Sequence, residues 1–149
     1  MATKDIASAL ATINPMVCYN SRVKMLNRMM SSWYDAAFKP YALTGNQFTL
    51  LLFIGKAKST NQKMIADMLL INFSTVSRDL AKLSLAGWVD MEKGTDARNS
   101  RISLAEKGLE LLANVLPVWA DVNGQMEELF GSKTSESLNA MIELIKKRK

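Results

Sequence analysis

Histidine is absent from the chain, and cysteine occurs once. The first absence excludes a histidine-dependent zinc site and a histidine-based catalytic triad, while carboxylate chemistry stays open. One cysteine cannot form an intrachain disulfide, which fits a cytoplasmic location. No apolar run approaches the roughly 20 residues of a membrane-spanning helix. The basic start is not followed by the long apolar block of a signal peptide. There is no glycine-rich phosphate loop and no Cys/His cluster with metal-ligand spacing. Asp121, Glu127 and Glu128 read as a solvated helix face. The chain is therefore expected to be neither an enzyme nor a membrane protein, and to need no metal or cofactor.

What is present is an ordinary globular composition. The 149 residues, 48% hydrophobic, suit a single domain over 1–149 with a sizeable core. The net charge of +5 is unevenly spread. Residues 1–59 hold seven basic and two acidic side chains, 60–105 six and five, and 106–145 two and seven. Lys146 to Lys149 are all basic. Charge alone does not mark a nucleic-acid binder here, so the reading rests on pattern.

The informative stretch is Asn61 to Leu104. Asn72 is a good N-cap residue, with a side chain able to accept from a first-turn N–H. After it, Val76, Leu80 and Leu83 recur at the spacing of a helix core stripe. Ser74, Thr75, Ser77, Arg78 and Lys82 occupy the other face. Hydroxyls and a guanidinium near a helix N-terminus suit base edges and phosphates. The preceding helix starts at Thr60 or Asn61 and turns Ile65, Ala66 and Leu69 inward. A short link, Leu70 to Asn72, joins the two as in a helix-turn-helix. Gly87 is placed to end the second helix, which is expected over Phe73 to Ala86. Trp88 to Glu92 and Arg101 to Leu104 then read as a hairpin around a polar turn. The sum is a winged helix-turn-helix, mainly α with a small β wing.

These residues resemble a known family. Ile65-Ala66, Ser74-Thr75-Val76-Ser77-Arg78, Leu83, Gly87-Trp88-Val89, Asp96-Ala97-Arg98 and Leu104-Ala105-Glu106-Lys107-Gly108 are similar to the MarR family of bacterial transcription regulators. Asp-x-Arg in the wing followed by Leu-x-Glu-Lys-Gly is the most specific part. Two positions depart from the pattern: Leu70 replaces a glycine often found between the helices, and Ala105 replaces a capping threonine or serine. The resemblance implies a DNA-binding regulator, most commonly a repressor, acting as a homodimer joined by its N- and C-terminal helices. It would bind double-stranded DNA, with half-sites of a pseudo-palindrome about one turn apart. The winged helix-turn-helix lobe is 44–104, and 1–40 with 106–149 form the dimerisation lobe. Arg98 would enter the minor groove, and Asp96 would orient it or the wing backbone. The alternative is a winged helix used only for protein contact.

The flanks carry long apolar patterns. A short helical tendency runs over Thr3 to Thr12. Asn14-Pro15 is a good helix opening, and Met16, Tyr19, Val23, Leu26, Met30, Trp33 and Ala37 follow at steps of three and four. This seam suits a core helix or a subunit interface. Thr44 and Gln47 form a capping box before an apolar helix containing Phe48, Leu51, Leu52, Phe53 and Ile54. Leu112, Val115, Trp119, Val122, Met126 and Leu129 define a long helix, with a kink expected at Pro117. Leu138, Met141, Ile142 and Ile145 stripe the last helix. Its basic end is a solvated tail or a phosphate contact.

Two effector sites are open at this level. Some members of the resembling family sense peroxides through a cysteine early in the first long helix, the region of Cys18. A helix N-terminus and Arg22 would favour its thiolate. Arg22 stands where a tyrosine is expected, and the spacing to Tyr34 differs from the pattern. The other reading of Cys18 is a buried small apolar residue. The second site is a pocket near Trp119, between the first long helix, the apolar helix and the Pro117 helix, for a small phenolic ligand.

Overall fold

The computed structural model describes residues 3–92, 94 and 100–148. Asp96 and Arg98 lie outside the described residues. The chain divides into two compact units, 1–33 and 34–149. Helices dominate, and the one sheet among the described residues has two strands.

In the first unit, α1 (Thr3–Thr12) precedes a 3-10 turn, Pro15–Val17. The Asn14 side chain does accept from a backbone N–H, that of Met16, at 2.9 Å. The turn it opens is short, and this corrects the expected helix start. Cys18 closes the turn by donating its N–H to the Pro15 carbonyl and is itself extended, with ψ 118°. The long helix α2 (Tyr19–Phe38) begins only after it. Tyr19, Val23, Leu26 and Trp33 are exposed, from 81% at Tyr19 to 37% at Leu26. Of the same seam, Met30 is half-buried and Ala37 packs against the core.

In the second unit, Phe38 ends α2 fully buried. Thr44 then opens α3 (Gly45–Ala57) with both bonds of a capping box. The Gln47 N–H donates to the Thr44 hydroxyl at 3.2 Å, and the Thr44 N–H donates to Gln47 Oε1 at 2.9 Å. Phe48, Leu50, Leu51 and Ile54 of α3 are buried, with Leu52 and Phe53 half-buried against the same core. The expected hub is thus where the pattern placed it. Around it lie α4 (Gln62–Leu69), α5 (Phe73–Leu85), β1 (Val89–Glu92), β2 (Arg101–Leu104) and α6 (Glu106–Phe130). The last helix is α7 (Ser132–Lys146).

Strands β1 and β2 pair antiparallel, Val89 opposite Leu104 and Glu92 opposite Arg101. Thr60 adds a third backbone segment. It exchanges N–H···O bonds with Ile102 at 2.8 and 3.0 Å, tying the base of the wing to the loop before α4.

Helix α6 runs through Pro117 as one element. Leu112, Val115, Val122 and Met126 are buried, Trp119 is half-buried, and Leu129 alone of that stripe is exposed. Leu112, Val115 and Trp119 of this stripe pack into the core around α3 and the wing. Leu138, Met141, Ile142 and Ile145 of α7 are exposed instead.

Candidate nucleic-acid interface

Helix α4 begins at Asn61, whose side chain accepts from the Met64 N–H at 2.9 Å. It ends at Leu70, which adopts the left-handed region at φ 54°, ψ 39°. The neighbouring Ile71 N–H returns to the Ala66 carbonyl at 3.1 Å, closing the turn. Leu70 thus takes the conformation that glycine adopts without a steric penalty. The departure from the family pattern leaves a left-handed turn in place, with a Cβ in it.

Asn72 is the N-cap of α5 by position, but its side chain makes no capping bond. The expected side-chain cap is corrected here. The Thr75 N–H, the donor such a cap would use, already donates to the Asn72 carbonyl at 2.9 Å. A different contact secures this end of the helix. Gln62, buried at the start of α4, donates from Nε2 to the Phe73 carbonyl at 3.3 Å. The spacing of residues carries no signal for that bond, since it depends on how the two helices cross.

The inward stripe Val76, Leu80 and Leu83 is fully buried. Opposite it, Ser74, Ser77, Arg78 and Lys82 are exposed and Thr75 is half-buried. Lys82 Nζ lies 3.8 Å from Asp79 Oδ1, a long and exposed pair of little energetic weight. Its charge therefore remains able to meet an anion. Helix α5 ends in a Schellman arrangement: the Gly87 N–H donates to the Ser84 carbonyl at 2.9 Å and the Trp88 N–H to the Leu83 carbonyl at 3.0 Å. Gly87 has φ +75°, as that motif requires. This turn delivers the chain into β1, so helix end and wing start are mechanically continuous.

The residues considered for an effector fall in two places. Tyr34, Phe38, Phe48 and Trp119 form a chain of rings, with centroid separations of 6.0, 4.9 and 6.1 Å. The Tyr34 hydroxyl donates to Asn123 Oδ1 at 3.4 Å, and burial pushes its phenol pKa up. Cys18 lies in the first unit and is exposed, which overturns the buried reading. Its thiol is held below the ordinary value, first by the backbone N–H of Ser21, then by the Ser21 hydroxyl and the Asn20 N–H, with a contribution from the Lys24 charge. Arg22 does not supply that charge. Its Nε donates to the Met16 carbonyl, folding the guanidinium back on the 3-10 turn.

Among the described residues no group of His, Cys, Asp or Glu is arranged to hold a metal ion. No described helix is long and apolar enough to cross a membrane.

Comparison with known proteins fits this geometry. The MarR family model matches residues 43–101. The HTH-type transcriptional regulator PecS of Dickeya dadantii is 26% identical over 141 residues, which cover 91% of this chain and 83% of PecS. The HTH-type transcriptional regulator BilQ of Clostridioides difficile is 18% identical over 122 residues, covering 81% and 82%. The M. tuberculosis transcriptional regulator MOSR, solved in complex with DNA, has the same fold, with a TM-score of 0.77 at 24% identity over 89% of this chain and 98% of that one. The S. aureus MepR–DNA complex gives 0.74 at 18% identity over the same shares. By the family match over residues 43–101, the regulators it resembles and the shared winged helix-turn-helix fold, the chain is similar to the MarR family of transcription regulators.

Proposed function

We propose that the protein binds double-stranded DNA as a homodimer and regulates transcription, as a repressor released by a small ligand or an oxidant. The observation that carries this reading is the outer face of α5. Ser74, Ser77, Arg78 and Lys82 stand exposed on a helix whose other face is fully buried and whose ends are both pinned. A rigid helix presenting donors is what major-groove reading needs. Ser74, Thr75, Ser77 and Arg78 face the groove in this reading, and Lys82 meets phosphate. In the same reading Arg98 enters the minor groove, with Asp96 orienting it or the wing backbone.

The dimer would use 1–40 and 106–149, leaving 44–104 to read DNA. The exposed α2 seam and the exposed α7 stripe support this, because such long apolar rows are rarely left in water. Two copies on a two-fold axis would read a pseudo-palindrome. A selection of bound fragments from the source genome tests the reading: enriched fragments sharing a two-fold-related motif support it. An absence of enrichment favours the winged helix as a protein-contact module.

For release, the exposed Cys18 with its favoured thiolate supports oxidation by a peroxide. A phenolic ligand beside Trp119 and Tyr34 is the other route. Peroxide treatment of the parent and of Cys18→Ser, followed by DNA binding, separates them: equal responses favour the ligand.

A further inference from the structure

We propose that Phe73 is a specificity-determining residue that reads the C5 methyl of a thymine in the major groove. This rests on the DNA-binding reading above. Phe73 is the first residue of α5, and the N-terminal residues of a recognition helix are those that meet base edges. A phenylalanine at this position is 47% exposed and lies outside the core cluster. It has no helix-opening role either. The apolar contact that fixes a helix entry joins the residue before the N-cap to the fourth helical residue. Those positions are Ile71, half-buried against the core, and Val76, fully buried.

The side chain is continuous with the polar reading face. Phe73, Ser77 and Ala81 follow at steps of four and so share one flank of α5, and all are exposed. Arg78 and Ser74 lie beside that flank. Apolar contact with the thymine methyl is the recognition a phenylalanine ring offers in the major groove. The bond from Gln62 to the Phe73 carbonyl holds the residue in place, so the ring is presented from a fixed backbone.

The test uses the full chain. A bound sequence is selected from a random duplex pool, and each of its thymines is replaced singly by deoxyuridine, which lacks only the methyl. In the parent, one thymine per half-site should lose about fourfold in affinity on replacement, the effect of one buried methyl-sized group. Phe73→Ala should bind the two duplexes equally, and Ser77→Ala should keep the parent's dependence. Phe73→Gln serves as a second variant, and helical circular dichroism checks that both are folded. The proposal is overturned if no thymine methyl matters, or if Phe73→Ala and Phe73→Gln keep the parent's methyl dependence. A pool that yields no bound DNA overturns the DNA-binding reading itself, and this inference with it.

Discussion

A Cβ added at Gly108 would stand 2.0 Å from the carbonyl oxygen of Trp88. The same oxygen accepts the Ala105 N–H at 3.1 Å, so it cannot move aside without losing a bond. The glycine of the Leu-x-Glu-Lys-Gly run is thus where α6 crosses directly over the residue that leads into β1. Gly108→Ala should destabilise the protein by about 3 kcal/mol, the upper end for overpacking, because the obstacle is backbone and not a flexible side chain. Denaturant unfolding would show a lower midpoint at an unchanged slope. An unchanged midpoint would mean that this crossing is looser than described.

Leu70 provides the opposite case. Its left-handed backbone costs about 1–2 kcal/mol, and glycine would remove that while losing roughly 0.5–1 kcal/mol through the unfolded chain. The side chain is mostly exposed, so little burial is lost. Leu70→Gly is expected to be neutral or to stabilise by up to about 1.5 kcal/mol. Leu70→Val should destabilise, since a β-branched residue suits this region worst. Thermal unfolding of both variants checks the order.

The Cys18 thiol should ionise more readily than an ordinary thiol. A lowered pKa places the reactive thiolate at lower pH in the folded protein than in the unfolded chain. Alkylation by iodoacetamide, followed against pH, should therefore reach half its maximal rate at a lower pH in the native protein than in urea. Arg22→Ala should leave that profile in place, because the N–H groups of Ser21 and Asn20 and the charge of Lys24 act on the thiol. Coincident native and unfolded profiles would remove the physical basis for an oxidant switch at this residue.

Dimerisation through the exposed seams can be tested without disturbing the core. Val23 and Ile142 are both at least half exposed or close to it, at 59% and 49%. Val23→Glu and Ile142→Glu should keep the helical circular dichroism of the parent and shift the protein toward monomer in light scattering. A parent protein that is already monomeric at micromolar concentration would contradict the dimer.

Local chemistry was the legible part of this fold. The Thr44–Gln47 capping box and the stripe Val76, Leu80 and Leu83 follow from periods and caps alone, and each is found as read. What sequence spacing does not carry is contact between distant segments. The Thr60–Ile102 bridge depends on how the loop before α4 meets β2, and the Gln62–Phe73 bond on how α4 and α5 cross. Helix α2 starts later than Asn14-Pro15 suggests, because that pair opens a 3-10 turn as readily as an α-helix, and the extended Cys18 separates the two. Apolar periodicity likewise cannot tell an interior stripe from an interface. The α6 row is buried but for Leu129 and half-buried Trp119, and most of the α2 row is exposed, although their spacings are alike.

The most direct test of the DNA-reading role compares Arg78→Ala and Lys82→Ala with the parent on a selected operator and on its single-base variants. A bidentate arginine–guanine contact is worth roughly 1–3 kcal/mol of discrimination. Arg78→Ala should lose that discrimination at particular base pairs. Lys82→Ala should lose affinity evenly across sequences, with the slope of log K against log salt reduced by about one. Unchanged affinity and unchanged sequence preference in both variants would contradict the assignment of the outer face of α5 to DNA.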